Sequence, residues 1–418
     1  MRYSIISKGM SLSQMEAEAL KVGAKGIKKT KITRQLFCEL NEEQLRKLSA
    51  VPGLKVSKVK EYRALQVALQ VPPGVETVSD AFSAVRSYFT PPLTGEGLTV
   101  AVLDSGIRKS HQSLRGKVIC EYNFTQSPSC EDIFGHGTGV AYLIAGWSPS
   151  GEKGGVCPGA RLMNIKVIND SGIATDETIV DGIEQVCELS DEARKKGLWQ
   201  SDDSYPNVIN LSLGGPDDGD PDNPVRAACR QATLDYGIDV VAAVGNEGPD
   251  MSTIMLPACE PEVVAVGAIE TREFKIWEKS SRGPTLEGQT KPDFVFWGTG
   301  IEVASHEADD KYDTKSGTSF SAPMLSGLTG LLWESGRRAY GGGWLFRWKP
   351  FLEFAPYYCT KPEDAPVKRG NTYGYGLPAM PTMIGQMAGV RTPMEQTIEA
   401  FPIVMMMGMM GVVVGGMV

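Results

Sequence analysis

The sequence predicts an α/β fold: a doubly wound, mostly parallel sheet with helices on both faces, preceded by a small α+β domain. Short apolar runs rich in β-branched residues are typical of buried parallel strands, and four of them stand out, at 162–168, 208–213, 240–244 and 263–269. Longer helical patterns lie between and after these runs, at 178–195, 225–236 and 319–334. Strand and helix therefore alternate, and the 418 residues suit one large and one smaller domain.

The first 67 residues have a pattern of their own. Strands are predicted at 3–7, within 27–40 and at 56–67, and helices at 12–22 and 42–48. Ser13 with Glu16, and Asn41 with Gln44, have the spacing of a capping box at the two helix starts. The segment is therefore predicted to fold as a compact α+β unit.

Charge is distributed unevenly between this segment and the rest of the chain. Residues 1–67 contain 14 Lys and Arg against 6 Glu and no Asp, which leaves 28 basic and 44 acidic residues for the remainder. Opposite net charges favour docking of the two parts and speed their encounter. A basic nucleic-acid-binding module is the competing interpretation. The segment lacks aromatic interleaving and any known binding motif, so we expect no nucleic-acid partner.

A candidate nucleophile lies at the start of the last long helical pattern. In the run GTSFSAP (317–323), a Gly-containing turn leads into an apolar segment and places Ser319 at the helix N-terminus. A hydroxyl in that position lies at the positive end of the helix dipole, where an acyl-transfer serine is useful.

Two further runs supply the partners that such a serine needs. The run VAVLDSG ends an apolar strand on Asp104, and GHGTGVA opens a helix with His136. Alone, such residues are usually turn formers or loop residues, but in one chain and one order Asp104, His136 and Ser319 predict a catalytic triad. A fourth run, VVAAVGNEG, is a buried strand that leads into Asn246, whose side-chain amide can donate a hydrogen bond.

These motifs, over about residues 75–380, resemble those of the subtilisin family of serine proteases, especially its intracellular or cell-associated bacterial members. The resemblance implies that His136 is the general base, that Asp104 orients it, and that Asn246 helps to form the oxyanion hole. It also implies a polypeptide substrate, bound as an added strand between two segments. The residues that resemble the family's substrate-binding segments are Ser212, Leu213, Gly214, Ala243, Val244 and Gly245.

The resemblance further implies that the enzyme is made as a self-inhibited zymogen. Residues 1–67 resemble the family's small ferredoxin-like inhibitory propeptide; 68–98 would be a linker and the start of the mature enzyme, 99–390 the catalytic domain and 391–418 a tail. Processing is expected between about 65 and 80. Two other functions stay open: a peptide ligase or macrocyclase that passes the same acyl-enzyme to an amine, and a non-catalytic peptide-binding protein.

No cofactor is required by this chemistry, although the family resemblance allows calcium as a structural ion. Ser113 stands where many subtilisins have a calcium-ligating Asp, which argues against the usual site. A different acidic loop supplies oxygen ligands of the kind that calcium takes, with a solvated loop as the alternative. Its candidate ligands are Asp217, Asp218, Asp220 and Asp222.

The cysteines and the two ends of the chain bear on localisation. Eight cysteines show no C-x-x-C pair, and the N-terminal segment has no apolar signal region, which favours a reducing compartment. Residues 401–418 carry no charge, and as a helix they would extend roughly 27 Å. We therefore expect a cytoplasmic protein, or one held at the membrane from the cytoplasmic side. The alternatives are a tail packed on the catalytic domain, a processed tail, and an exported protein with a Cys120–Cys130 bridge.

Overall fold

Strands and helices alternate along most of the chain. The structure, a computed structural model, describes residues 1–64, 86, 92–147, 154–198, 203–271, 274–340, 347–353, 355–362, 365 and 368–379. The described strands are β1 (Arg2–Ser7), β2 (Lys25–Lys29), β3 (Leu36–Glu39), β4 (Leu54–Lys58), β5 (Glu61–Ala64), β6 (Thr99–Asp104), β7 (Val118–Asn123), β8 (Arg161–Lys166), β9 (Ile173–Thr175), β10 (Val208–Leu211), β11 (Leu213–Gly214), β12 (Asp239–Ala243), β13 (Val264–Ile269), β14 (Phe294–Trp297), β15 (Ile301–Ala304), β16 (Tyr312–Lys315), β17 (Cys359–Thr360) and β18 (Leu377–Pro378). The described helices are α1 (Leu12–Lys21), α2 (Glu42–Ser49), α3 (Gly137–Ala145), α4 (Asp176–Lys195), α5 (Pro224–Leu234), α6 (Thr318–Tyr340) and α7 (Trp348–Phe351).

The main sheet has seven strands in the order β14-β13-β12-β10-β6-β8-β7, and all its pairings are parallel. Successive side chains of a strand point to opposite faces. Val100 and Val102 therefore pack in the buried cluster that contains α3 and α6. Ala101 and Leu103 pack in the cluster that contains α4 and α5. With helices on both faces, this is the predicted doubly wound α/β fold.

The predicted strand at 208–213 is in fact two strands that belong to different sheets. β10 ends at Leu211 in the main sheet, and β11 begins at Leu213 in a three-stranded sheet with the order β11-β5-β9. Both parts are buried, and apart from Asn210 neither contains a polar side chain, so periodicity along the sequence does not reveal the change of sheet at Ser212.

The first 58 residues form a separate antiparallel sheet, in the order β2-β3-β1-β4, which packs against α1 and α2 over its own apolar cluster. The element order agrees with the prediction. The cap of α1 was predicted wrongly, because the helix begins at Leu12 and Ser13 already lies in its first turn. Ser11 and Gln14 form the capping box instead, whereas the predicted box of Asn41 and Gln44 is confirmed.

The predicted strand at 56–67 is also divided between two sheets. β4 closes the N-terminal sheet, and β5 then runs between β11 and β9, antiparallel to both. Ala64 lies opposite Leu213, and Tyr62 lies opposite Ala174. The N-terminal unit therefore inserts one strand into the rest of the molecule.

Opposite charges meet where the N-terminal unit contacts α4 and the loop before α5. Arg2 donates two hydrogen bonds to the Glu177 carboxylate, at 2.7 and 2.8 Å. Lys28 pairs with Asp181, and Lys60 pairs with Asp218 at 2.7 Å. The uneven charge distribution in the sequence predicts this kind of contact.

Several features predicted from the sequence lie outside the described residues. They are most of the 68–98 segment, the processing region at about 65–80 and the tail at 391–418. Among the helices that are described, none is long and apolar enough to cross a membrane. All eight cysteines lie in described segments as free thiols, so the alternative Cys120–Cys130 bridge is not formed.

The buried carboxyl group at the start of β12 makes the stability of the fold depend on pH. Burial raises the pKa of Asp239 to about 6, against the opposing effects of Arg347 and the Trp348 amide. When a carboxyl group has a higher pKa in the folded than in the unfolded state, the free energy of unfolding falls as pH rises from about 4 to 6. The full loss, about 3 kcal/mol, persists above pH 6. Asp239→Asn should therefore stabilise the protein, and its advantage should grow by about 1 kcal/mol between pH 5 and pH 8.

Denaturant unfolding in a Ser319→Ala background measures this difference at both pH values. Asp235→Asn is the matched control, because Asp235 is exposed at the end of α5. An Asp239→Asn effect that is equal at pH 5 and pH 8 would contradict the explanation.

Candidate active site

Asp104 and His136 form a buried hydrogen-bonded pair. Asp104 is the last residue of β6, and His136 immediately precedes α3. The His136 Nδ1 and Asp104 Oδ1 atoms are 2.7 Å apart, and both side chains are almost completely shielded from solvent. With Nδ1 engaged, Nε2 is the remaining ring nitrogen, and it has no hydrogen-bond partner among the described residues. This arrangement fixes the imidazole and leaves Nε2 available as a base.

Asp132 holds the backbone around His136, and the sequence analysis did not identify it. One carboxylate oxygen accepts hydrogen bonds from the amides of Gly135 (2.8 Å) and His136 (3.3 Å), and the other accepts one from the Thr138 amide (2.9 Å). The Ser105 hydroxyl donates to the same carboxylate at 2.7 Å. A carboxylate at a helix N-terminus satisfies amides that have no partner within the helix. An acidic residue four positions before His136 is the signal in the sequence that could have revealed this role.

Ser319 lies near the N-terminus of α6, linked to Ser212 by two reciprocal hydrogen bonds. The Ser319 Oγ donates to the Ser212 carbonyl, and the Ser212 Oγ donates to the Ser319 carbonyl, each at 2.9 Å. The next residue, Phe320, packs against the His136 ring with 5.6 Å between ring centroids. The residue that follows the predicted nucleophile therefore packs on the imidazole of the Asp104–His136 pair.

Asn246 is held at the N-terminus of the same helix. Its Oδ1 accepts hydrogen bonds from the amide (3.1 Å) and hydroxyl (3.0 Å) of Thr318, which leaves the Nδ2 amino group to donate elsewhere. The preceding residue, Gly245, has a φ of +111°. A Cβ there would lie 2.7 Å from the Ser281 Oγ, so both conformation and space require glycine at the bend that positions Asn246.

The predicted substrate-binding residues lie on either side of Ser319. Leu213 and Gly214 form β11, and β5 occupies the edge of that strand. Ala243 ends β12, and Val244 is bonded through its amide to Val266 and through its carbonyl to Met255. All these residues are buried. Residues 243–245 therefore form a fixed wall, whereas Leu213 and Gly214 form a strand edge that pairs with another strand.

The acidic loop predicted as a candidate calcium site is paired with lysine side chains. Asp218 contacts Lys60, and both Asp220 and Asp222 contact Lys55. Among the described residues, no group of three or more His, Cys, Asp or Glu side chains is close enough to hold a metal ion. The fourth candidate, Asp217, accepts a 3.0 Å hydrogen bond from the Gly219 amide. Because ammonium groups contact three of the four carboxylates, the loop does not fit calcium in this arrangement.

A buried Asp–His pair beside a serine at a helix N-terminus is the constellation of a serine hydrolase. Comparison with known proteins agrees with this class. The model of the "Subtilase family" matches residues 95–343. Serine protease AprX of Bacillus subtilis (strain 168) is 31% identical over 304 residues, which are 66% of this chain and 66% of AprX.

Two further relatives extend the comparison. Subtilisin of Bacillus sp. (strain TA39) is 29% identical over 323 residues, which are 71% of this chain and 72% of that protein. Subtilisin DY of Bacillus licheniformis is 34% identical over 268 residues, which are 63% of this chain and 85% of that protein. The chain therefore belongs to the subtilase family, a family of serine endopeptidases.

The site predicts which serine reacts with an electrophilic probe. Ser319→Ala should abolish labelling of the active enzyme by a fluorophosphonate, because Ser319 is the predicted nucleophile and the residue after it packs on His136. Intact-protein mass spectrometry measures the adduct. Ser321→Ala is the matched control, since Ser321 lies on the same helix but donates to the backbone carbonyls of Phe296 and Trp297. Labelling that survives Ser319→Ala would identify another serine as the nucleophile.

Proposed function

We propose that this chain hydrolyses internal peptide bonds with Ser319 as nucleophile, His136 as general base and acid, and Asp104 as the group that orients His136. The observation that carries the proposal is the buried 2.7 Å hydrogen bond between Asp104 and His136, with the residue after Ser319 packed on the imidazole. A hydrogen-bonded carboxylate holds the ring in one tautomer and stabilises the imidazolium that forms during the reaction.

The first half of the reaction forms an acyl-enzyme. The Ser319 hydroxyl exchanges its present acceptor, the Ser212 carbonyl, for Nε2 of His136 and transfers its proton there as Oγ attacks the scissile carbonyl carbon. The oxyanion that results accepts hydrogen bonds from Nδ2 of Asn246 and from the Ser319 amide. His136 then gives the proton to the leaving amine as the carbon–nitrogen bond breaks.

The second half releases the acid product. Water enters, His136 takes one of its protons, and the hydroxide attacks the acyl carbon. The same donors stabilise the second oxyanion. Collapse of this intermediate returns the proton to the Ser319 Oγ and frees the carboxylic acid.

The substrate is proposed to be an extended polypeptide that pairs with β11 on one side and β9 on the other. β5 supports this mode of binding, since residues 61–64 of this chain lie between those two strands with antiparallel pairing to both. Backbone pairing supplies affinity that depends little on sequence, and side-chain pockets supply selectivity. Ala243, Val244 and Gly245 form the proposed second wall of the pocket nearest to Ser319.

Residues 1–67 are proposed to be an inhibitory propeptide, with 99–390 as the catalytic domain. β5 occupies the strand position that a substrate would need, so the docked unit and a substrate exclude each other. Glu184 of α4 strengthens docking, because its carboxylate accepts hydrogen bonds from the amides of Lys31 (3.1 Å), Ile32 (3.1 Å) and Thr33 (2.8 Å). Under this proposal, processing between about 65 and 80 precedes activity towards other proteins.

Replacing Asn246 tests the proposed oxyanion hole. Asn246→Ala should lower kcat by roughly 100- to 1000-fold and change KM little, because the oxyanion exists only near the transition state; this magnitude is the one known for the equivalent donor in subtilisin. Steady-state kinetics on a fluorogenic peptide separates the two constants. An effect on KM alone would exclude Asn246 from this role.

A fragment of residues 1–67 tests the proposed propeptide. Added to the mature enzyme, it should inhibit peptide hydrolysis competitively, and raising the salt concentration from about 0.05 to 0.5 M should raise its inhibition constant, since screening weakens ion pairs such as Arg2–Glu177. The matched variant Arg2→Gln should inhibit less well at low salt and show a smaller salt dependence. A fragment without inhibitory activity at any salt concentration would contradict the proposal.

A further inference from the structure

Tyr62 is the most deeply buried side chain of β5, and it ends in a polar contact. The residue is completely shielded from solvent, within the apolar cluster that includes Ala174, Ile179 and Leu213. Its hydroxyl donates a 2.6 Å hydrogen bond to Oδ1 of Asp176, the first residue of α4. A buried carboxylate at the end of an otherwise apolar pocket is a feature that the proposed reaction does not use.

We infer that Asp176 is a specificity-determining residue, and that the cleft selects substrates with tyrosine at the position that Tyr62 occupies. The inference rests on the proposed function, because it takes β5 as the guide to how a substrate strand lies. If a substrate pairs with β11 as β5 does, the selected tyrosine lies two residues before the substrate residue that is opposite Leu213. The pocket formed around Tyr62 by Asp176, Ala174 and Gly215 is called the tyrosine pocket below.

Gly215 gives the tyrosine pocket the width for an aromatic ring. A Cβ at position 215 would lie 2.7 Å from Cδ1 and 2.9 Å from Cε1 of Tyr62, closer than non-bonded carbon atoms approach. The ring therefore lies directly against the backbone at Gly215. A flat aromatic ring fills the space that is open because Gly215 has no side chain.

Asp176 gives the pocket its preference for a hydroxyl group. Its second oxygen, Oδ2, accepts a 2.5 Å hydrogen bond from the Lys60 amide, so the carboxylate is fixed from both sides. Burial raises the pKa of Asp176, although hydrogen bonds from Tyr62, from the Lys60 amide and from Asn223 act in the opposite direction. A buried carboxylate that loses one of its donors leaves an unsatisfied acceptor, which is costly.

The same reasoning ranks other side chains at this position. Phenylalanine would fill the pocket but leave Oδ1 of Asp176 without its donor. Leucine would lose the ring contact with Gly215 as well. Arginine or lysine would satisfy the charge of Asp176 but place a flexible chain where a rigid ring now packs. Among these side chains, only tyrosine combines the apolar ring with a donor at its end.

The test uses the active enzyme obtained by expressing the full chain, and a set of peptides that copy residues 58–70. The peptides carry Tyr, Phe, Leu or Arg at the position of Tyr62, and mass spectrometry verifies that all are cut at the same bond. The kcat/KM for the Tyr peptide should exceed that for the Phe peptide by about 10- to 100-fold, the value expected of a hydrogen bond to a buried charged group.

Enzyme variants assign this preference to Asp176. Asp176→Leu should bring the Tyr/Phe ratio of kcat/KM close to one, mainly by raising cleavage of the Phe peptide relative to the Tyr peptide. Gly215→Ala should reduce cleavage of both aromatic peptides relative to the Leu peptide, because it narrows the pocket. Asp235→Asn is the control and should leave every ratio unchanged.

The outcomes separate this inference from the function on which it rests. An active enzyme with equal rates on the Tyr and Phe peptides, or with its highest rate on the Arg peptide, would overturn the tyrosine preference alone. A Tyr/Phe ratio that Asp176→Leu does not change would exclude Asp176 as its cause. Absence of both peptide cleavage and fluorophosphonate labelling would overturn the endopeptidase proposal, and the tyrosine preference with it.

Discussion

The two hydrogen bonds between Ser212 and Ser319 are the constraint on which the geometry of the site depends. Each serine donates its hydroxyl to the backbone carbonyl of the other, so the N-terminus of α6 is held against the junction of β10 and β11. Asn210 supports the junction by donating to the Ser212 Oγ at 3.0 Å while accepting from Ser326 of α6 at 2.9 Å. The side chains of Asn210 and Ser212 are both buried. Burying a polar group without a hydrogen-bond partner costs free energy. The proposed nucleophile is thereby fixed relative to the strand edge that would hold a substrate.

Docking of the N-terminal unit combines two kinds of contact with different energetic weights. Ion pairs between partly exposed side chains, such as Arg2 with Glu177, stabilise a complex by about 0–1 kcal/mol each and weaken with salt. The fully buried rings of Phe37 and Tyr62 each contribute about 1.5–3 kcal/mol from burial alone. The ion pairs therefore mainly favour the encounter of the N-terminal unit with the rest of the chain, and the buried rings supply most of the free energy of docking.

The sequence predicted the main sheet well, because its strands have local signals, and signals of the same kind led to the proposed catalytic residues. Apolar runs mark the strands around Asp104 and Asn246, and Gly-containing turns mark the helix starts at His136 and Ser319. Residues defined by contacts between distant segments had no such signal. Asp176 looks like an ordinary acidic residue at a helix start until Tyr62, 114 positions away, is placed against it. Asp132 had a local signal, its position four residues before His136, which the sequence analysis did not use.

The division of the predicted strand at 56–67 had a similar cause. Hydrogen bonding to partners distant in the sequence decides which sheet a strand joins, and alternation along the segment does not encode it. β4 pairs with β1 of its own unit, whereas β5 pairs with β11, about 150 residues away. The sequence predicts that both segments are extended, but only the fold separates them.

The proposed inhibitor and a proposed substrate would bind in the same cleft. The contacts that the N-terminal unit makes outside β5 explain why the inhibitor stays bound and the substrate is released. A short peptide with tyrosine in the tyrosine pocket has only its strand contacts, so its products separate readily from the enzyme. The folded unit adds the contacts of Arg2 and Phe37 and the hydrogen bonds from its 31–33 amides to Glu184, and its fold holds these groups in place. Linked contacts of this kind raise the effective concentration of the strand in the cleft. One strand position can thus serve a transient substrate and a persistent inhibitor, and what distinguishes them is the folded unit to which the strand is attached.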